Sequence, residues 1–188
     1  MIVGSAGEPA TATVESDSID QMAERIDVQR TIDAPPEAVF AVLCDPQGHV
    51  AIDGTGMLQG ADGDLVAARG DRFVVHMDRD ALNDFPMGKY DVTVVITDFE
   101  KDKLIAWTIL GRIRPQVGHV YGYHLEPDAD ATTVTSFCDW SGIDEHWRAA
   151  NIFPVISEGA LRATLGILDR TVRRGYPRGP KPKSSTRS

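Results

Sequence analysis

Basic side chains are in short supply in this chain: 19 Lys and Arg stand against 28 Asp and Glu, for a formal charge of −9 at neutral pH. That deficit excludes nucleic acid as a partner, because its phosphates are held by a basic face that displaces their counterions. It also makes anionic membrane surfaces a poor match. The imbalance is sharper over most of the chain, since Arg178, Lys181, Lys183 and Arg187 sit together near the C-terminus with no acid among them. Cysteine is nearly absent. Cys44 and Cys138 lack zinc-type or CxxC spacing, so buried free thiols are expected, with a disulfide as the lesser alternative. Long apolar runs are missing too: nothing approaches the roughly 18 residues that span a bilayer, and no stable membrane insertion is expected. Met1 to Gly7 has neither a basic start nor an apolar stretch before Glu8, unlike an export signal, so the expected location is cytoplasmic.

Motifs of catalysis and ligation are equally sparse. There is no GxSxG elbow, and Gly54-Thr55-Gly56 lacks the Lys and following helix of a phosphate loop, which leaves it as a turn. Neither HExxH nor a facial-triad spacing occurs. His119 and His124 lie an odd number of residues apart on one predicted strand, so alternation sends them to opposite faces and they cannot share an ion. His49, His76 and His146 fall in separate segments. Neither a metal nor a cofactor is expected.

What is present reads as one domain: 188 residues with 42% hydrophobic content bury a sizeable core but not two. Residues 1–25 mix small, polar and acidic types without apolar period and read as a flexible leader; 26–176 form the folded unit; 177–188 read as a disordered basic tail. A strand at Ile26 to Ile32 runs into Ala34-Pro35-Pro36-Glu37-Ala38-Val39-Phe40, where the prolines suit a first helical turn and Glu37 suits the positive end of the helix dipole. Asp45-Pro46 interrupts that helix. A second short one, Gln47 to Ile52, ends in the turn Asp53-Gly54-Thr55-Gly56.

Strand candidates follow at Met57 to Gly60, Leu65 to Ala68, Arg72 to Met77, Lys89 to Phe99, Lys103 to Leu110, Val117 to Glu126 and Thr132 to Trp140. Short turns at Glu100-Lys101-Asp102 and Asp128-Ala129-Asp130 predict antiparallel neighbours. Past Trp147 the chain turns helical, with Pro154 forcing a kink or a fresh start. Leu161, Leu165, Leu168 and Val172 make one apolar stripe opposed by Glu158, Arg162, Asp169, Arg170 and Arg173. The prediction is an α+β fold, a curved antiparallel sheet of about seven strands around a long C-terminal helix, with two short helices after the first strand. An edge strand near Leu65 is a place where a dimer could pair; monomer and dimer both stay open.

Period-two alternation assigns faces. Tyr90, Val92, Val94 and Ile96 share the inner one, as do Ile105, Trp107 and Ile109. His119, Tyr121, Tyr123 and Leu125 follow, with Gly118 and Gly122 on the other side. Val134, Ser136, Cys138 and Trp140 complete the set, while Phe137 breaks the pattern.

This order of elements resembles the helix-grip fold of the SRPBCC superfamily, which takes in START lipid-transfer domains, the Bet v 1 plant proteins and bacterial polyketide cyclase/dehydrase-like proteins. The likeness is carried by Ile32-Asp33-Ala34-Pro35-Pro36-Glu37-Ala38-Val39-Phe40 with Asp45-Pro46 after it, by Tyr121-Gly122-Tyr123-His124-Leu125-Glu126-Pro127, by Thr132-Thr133-Val134-Thr135 and Asp139-Trp140-Ser141, and by the stretch from Phe153-Pro154 to Thr164-Leu165. The resemblance implies a deep apolar cavity between the sheet and the last helix. Its expected lining is Met77, Met87, Ile96, Trp107, Ile109, His119, Tyr121, Tyr123, Cys138, Trp140, Phe153, Ile156, Ala160 and Thr164, with Arg112 and Arg114 at the mouth.

Each candidate has a plainer alternative. His119, Tyr121 and Tyr123 can present an imidazole and two phenols to a ligand carbonyl, orienting it or acting as acid and base; equally, they can bury their rings and satisfy their polar tips on backbone or water. Trp107 and Trp140 suit core filling as well as a cavity wall. Met77 and Met87 flank the connection from Asp78 to Gly88, whose Asp84-Phe85-Pro86-Met87-Gly88 part fits either an adaptable entrance or a hairpin tip folded on the body. Arg112 and Arg114 fit a ligand carboxylate or phosphate, or an ordinary surface. Solvent exposure is the plain expectation for Arg72 and His76. Three functions follow in order of preference: binding or transport of a hydrophobic small molecule or lipid; a polyketide cyclase, aromatase or dehydratase using His119, Tyr121 and Tyr123; and a protein-interaction module of co-chaperone type.

Overall fold

A computed structural model describes residues 24–80 and 86–176; the expected leader and tail lie outside them, apart from Glu24 and Arg25. Seven strands form one sheet: β1 Arg25–Ile32, β2 Leu58–Asp62, β3 Arg72–Asp78, β4 Lys89–Glu100, β5 Leu104–Leu110, β6 Val120–Asp128 and β7 Ala131–Asp139. Their order is β1-β7-β6-β5-β4-β3-β2, and every neighbouring pair is antiparallel. The helices are α1 Pro36–Leu43, α2 Pro46–Ile52, α3 Glu145–Ala149 and α4 Glu158–Arg173. This is the α+β helix-grip arrangement.

Local chemistry sets the helix boundaries. Pro36 opens α1 and Pro46 opens α2, where a missing N–H costs nothing. Asp45 caps α2 by accepting from the Gln47 amide at 2.9 Å. Pro154 yields a fresh start rather than a kink: α3 stops before it, and Ser157 caps α4 through the Ala160 amide at 3.2 Å. Val39, Phe40, Val42 and Leu43 of α1 and Leu161, Leu165 and Leu168 of α4 are buried together against the inner face of the sheet. Among the described residues no helix is long and apolar enough to cross a membrane.

Three expectations need correction. Leu65 to Ala68 is not a strand. The Asp71 carboxylate takes the amides of Ala67 and Ala68 at 2.7 and 2.9 Å, and the Val66 amide donates to the Cys44 carbonyl, so these donors are spent locally and none is left for a ladder. The sheet edge on this side is therefore β2, with β1 at the other edge, and Leu65 is a solvent-exposed loop residue. Asp169, expected on the outer side of α4, is 4% exposed. Arg30 of β1 and Arg173 one turn further on both reach it at 2.7 Å, which supplies the pairing a buried carboxylate requires and ties α4 to the β1 edge. Lastly, β6 begins at Val120 and β7 ends at Asp139, leaving His119 and Trp140 just outside the ladders.

Phe137 breaks the alternation for a structural reason. It lies on the outer face yet is buried, with the Arg25 guanidinium 4.1 Å above its ring and His124 stacked beside it at 5.4 Å. Its ring occupies the space over Gly122, where an added Cβ would come within 2.4 Å of it and within 2.8 Å of the Ile105 carbonyl. Gly122→Ala is expected to destabilise the fold by about 2 kcal/mol through overpacking, read as a lower midpoint in urea denaturation; an unchanged midpoint would show that Phe137 does not depend on this gap.

Candidate binding cavity

A cavity of about 650 Å³ lies between the inner face of the sheet and the helices. Its floor comes from alternate residues of four strands: Val75 and Met77 of β3, Tyr90, Val92 and Val94 of β4, Trp107 and Ile109 of β5, and Tyr121 and Tyr123 of β6, with His119 just ahead of β6. The roof is made by His49 and Ile52 of α2, by Asp53, Thr55 and Met57 of the next turn, by Ile152, Val155 and Ile156 between α3 and α4, and by Leu161 and Thr164 of α4. Met87, Lys89, Arg112 and Ile113 belong to its rim, and all four are exposed.

The roof turn is held by its own polar groups. Asp53 accepts from the Thr55 amide at 2.8 Å, the Thr55 hydroxyl at 2.6 Å and the Leu58 amide at 2.9 Å. The Gly54 amide donates to Thr164 Oγ1 at 3.2 Å. A side chain at Gly54 would meet the Thr164 amide nitrogen at 2.8 Å, so this close approach of the turn to α4 depends on glycine.

Burial favours the neutral forms of the interior histidines, tyrosines and cysteines. Burial lowers His49 to about 4, even though its Nε2 contacts the Leu43 carbonyl at 2.8 Å, and its ring packs between Phe73 and Trp107. Burial likewise lowers His119 to about 4. His119 Nδ1 has no hydrogen-bond partner among the described residues, and its ring lies edge-on to Tyr121 at 5.0 Å and tilted to Phe153 at 5.4 Å. Burial raises the Tyr121 hydroxyl well above its ordinary value, and its cross-strand neighbour Cys138 adds to the rise. Tyr123 is pushed up to about 12 by burial, with its cross-strand neighbour Ser136 acting against the rise. Both cysteines are free, and burial raises each thiol to about 12, which removes them from thiolate chemistry.

Met77, Met87, Trp107, Ile109, His119, Tyr121, Tyr123, Ile156 and Thr164 line the cavity. Ile96, Cys138, Trp140, Phe153 and Ala160 do not. Ile96 is 1% exposed in the solid part of the core. Cys138 is covered by its cross-strand partner Tyr121. Trp140 and Phe153 stack on each other at 5.4 Å and 18°, filling space at the end of β7, and Ala160 lies in the first turn of α4 without facing the hollow. Arg112 is on the rim, whereas Arg114 folds back on its own loop, donating to the Gly111 and Ile113 carbonyls at 2.8 and 2.7 Å. Asp84 and Phe85 fall outside the described residues. His76 is not simply solvated: Asp91 at 2.8 Å and Asp62 at 2.9 Å clasp its two nitrogens and raise its pKa.

Sequence reasoning reads Asp53-Gly54-Thr55-Gly56 as a turn and His49 as an isolated histidine, without assigning either to the site. It placed Tyr90, Val92 and Val94 on the inner face without assigning them to the site; their alternation with the apolar floor was the available signal.

A curved antiparallel sheet, a closing helix and a hollow between them define a helix-grip protein of the SRPBCC superfamily. The chain belongs to the polyketide cyclase/dehydrase and lipid transport family, whose model matches residues 23–173. No curated protein matches the sequence significantly. Among solved structures, a truncated norcoclaurine synthase from Thalictrum flavum is similar at 14% identity and a TM-score of 0.57, over 84% of this chain and 99% of that one. A point mutant of the same synthase with a transition-state analogue aligns at 15% identity and 0.56, over 80% and 94%. The Aha1 dimer from Colwellia psychrerythraea aligns at 18% identity and 0.52, over 81% and 98%.

The two buried histidines make stability acid-sensitive. Between the ordinary histidine value near 6.5 and about 4, the unfolded chain binds a proton at each site and the folded chain does not, so acid favours unfolding. Stability is fully present above pH ~6.5 and falls as pH drops towards 4, by on the order of 3 kcal/mol per histidine. Urea denaturation at pH 7.5 and pH 5 is expected to show this decline, with His119→Phe reducing it by roughly half; a pH-independent midpoint would mean that these imidazoles titrate in the fold as they do in the unfolded chain.

Proposed function

We propose that the protein binds a hydrophobic small molecule or lipid within the cavity and serves as its carrier or receptor. One observation carries this reading: an interior of about 650 Å³ whose floor is apolar and aromatic and whose histidines and buried tyrosine are held in their neutral forms by burial. Such a volume falls in the range of roughly 300–1,000 Å³ that encloses small organic ligands. The family description, which joins cyclase and dehydrase activity with lipid transport, accommodates a ligand of this kind.

Acid–base chemistry is the second reading, and His119 is what favours it, since its buried imidazole lines the same space. A polyketide cyclase, aromatase or dehydratase would use it with Tyr121 and Tyr123. Efficient proton transfer, however, wants groups whose pKa lies near the working pH. Here burial moves the imidazole down and both phenols up, so all three are displaced from that optimum. A protein-interaction module would need no internal space at all.

Native mass spectrometry of the purified protein is expected to show a mass excess that organic extraction removes, and the extracted protein is expected to take up an apolar dye. Ile109→Trp, which fills part of the floor, is expected to abolish both signals while leaving the fold intact by circular dichroism. A chain that runs at its bare sequence mass and takes up no apolar dye would overturn the proposal.

A further inference from the structure

At its rim the cavity adjoins a second, smaller hollow of about 360 Å³. Met77, Lys89, Tyr90, Asp91 and Arg112 line both, so the two spaces meet along the start of β4 and the loop after β5. Their walls differ in kind: most of the cavity floor is apolar or aromatic, whereas Gln59, His76 and Asp78 complete the outer hollow. Charged groups of both signs stand around the junction, and they differ in what the protein already gives them. Each acid is engaged. Asp53 accepts from two amides and the Thr55 hydroxyl, Asp91 pairs with His76 at 2.8 Å, and Asp78 accepts from the Asp80 amide at 2.9 Å. The cations of the rim are less so: Lys89 reaches only Asp78, at 4.0 Å, with its side chain 83% exposed, and Arg112 makes no hydrogen bond or ion pair among the described residues. Arg79 also lines the cavity, and its charge reaches the floor, where it opposes the rise that burial imposes on the Tyr121 hydroxyl.

We propose that the ligand is an amphiphile with an anionic oxygen head, a carboxylate or a phosphate, whose apolar body fills the cavity while the head lies at the junction against Arg112 and Lys89. This rests on the reading of the cavity as a binding site and narrows it to a ligand class. An anionic head brings acceptors and needs donors. Guanidinium and ammonium groups supply donors only, and a guanidinium meets two oxygens of a carboxylate or phosphate together. A cationic head would need carboxylates with no other partner, and those at the junction are engaged. Leaving the head at the junction also avoids the cost of burying a charge among the aromatic rings of the floor. The donor is held in place: Arg112 follows Gly111, whose amide and carbonyl are both bonded by Gln116 at 3.0 Å, on the loop that Trp147 ties to α3. Neither the whole-chain charge of −9 nor the balance of signs at the rim favours an anion, so the preference rests on which donors are left open.

Equilibrium dialysis of the full chain at pH 7.5 with decanol, decanoate, decyl phosphate and decyltrimethylammonium, each below its micelle-forming concentration, tests this. The four share one apolar body and differ in the head. Decanoate or decyl phosphate is expected to bind roughly fivefold tighter than decanol, the scale of an ion pair at exposed cations, with decyltrimethylammonium weaker than decanol. Which of the two anions binds better distinguishes carboxylate from phosphate. In the unaltered protein the ratio of anion to decanol affinity is expected to fall as salt is raised, because charges at an open rim are screened. Arg112→Gln is expected to bring that ratio close to one. Arg69→Gln makes the same change in net charge on an exposed loop at the opposite end of β3 and β4 from Lys89, and is expected to leave the ratio in place. Equal binding of decanol and both anions, tightest binding of decyltrimethylammonium, a ratio indifferent to salt, a ratio that survives Arg112→Gln, or one that falls as far in Arg69→Gln would each overturn the inference while leaving the cavity a binding site. Failure of all four compounds, decanol included, would overturn the binding reading itself.

Discussion

The placement of α4 is the constraint from which the rest of the molecule follows. Its apolar stripe of Leu161, Leu165 and Leu168 packs towards β1, β7, α1 and α2, and the Arg30–Asp169–Arg173 cluster anchors it at the β1 edge. The helix is thereby committed to one side of a sheet that continues through β6, β5, β4 and β3. The inner faces of those strands remain apolar with α4 not laid along them, and the cavity is the space between them, α2 and the nearer end of α4. A helix centred on the sheet would have filled that space with the same leucines. The buried ion cluster contributes less through net energy, which desolvation largely offsets, than through fixing which edge the helix occupies.

Burial then decides what the cavity can do. Burial favours the neutral forms of the tyrosines and the histidine of the floor, with Tyr121 opposite Cys138 and Tyr123 opposite Ser136 across the β6/β7 ladder. Held neutral, these groups make the floor less polar than its composition implies. The same holds in the roof for His49, whose Nε2 contacts the Leu43 carbonyl. Asp53 and Arg79 line the cavity, but other charge is sorted to the outside: Lys89 and Arg112 stand on the rim, and the His76 clasp between Asp62 and Asp91 lies on the outer face of β2, β3 and β4. The resulting gradient, apolar within and ionic at the entrance, suits a guest that leaves its hydration shell behind.

Much of this was legible from periodicity. The run Tyr90, Val92, Val94, Ile96 declared its inner face because Asp91 and Thr93 alternate with it, and Pro36 and Pro46 marked two helix starts by chemistry that needs no tertiary information. The failures share a cause, which is that a distant side chain changed the meaning of a local pattern. Leu65 to Ala68 has strand-like composition, but Asp71 claims its amides. Asp169 reads as solvent-facing until Arg30, far away in sequence, is brought beside it. Phe137 reads as an irregularity until Gly122 on the next strand is seen to make room for it. Within the site, Ile96, Cys138 and Trp140 were assigned to the correct face, but alternation cannot tell a residue on a hollow from one in solid core; that depends on where α4 ends, and no strand encodes it.

Access and selectivity are consequently governed by different parts of the molecule. The floor is built on hydrogen-bonded strands, so the positions of Trp107, Ile109, Tyr121 and Tyr123 are determined by ladders that the rest of the fold needs in any case. The entrance is built on connections: Met87 before β4, Ile113 between β5 and β6, and Val155 between α3 and α4 are all exposed large apolar residues that also line the cavity. Three separate loops therefore bring apolar side chains to one opening, where solvent would normally favour polar ones. One of them is braced, since Gln116 bonds the Gly111 amide and carbonyl at 3.0 Å and the Trp147 indole donates to the Pro115 carbonyl at 2.9 Å. The β5–β6 loop is thus tied to α3, so the entrance on that side has a defined shape. Sequence change in the loops would alter how a guest enters, whereas change on the floor would alter which guest is held, and the fold allows the two to vary independently.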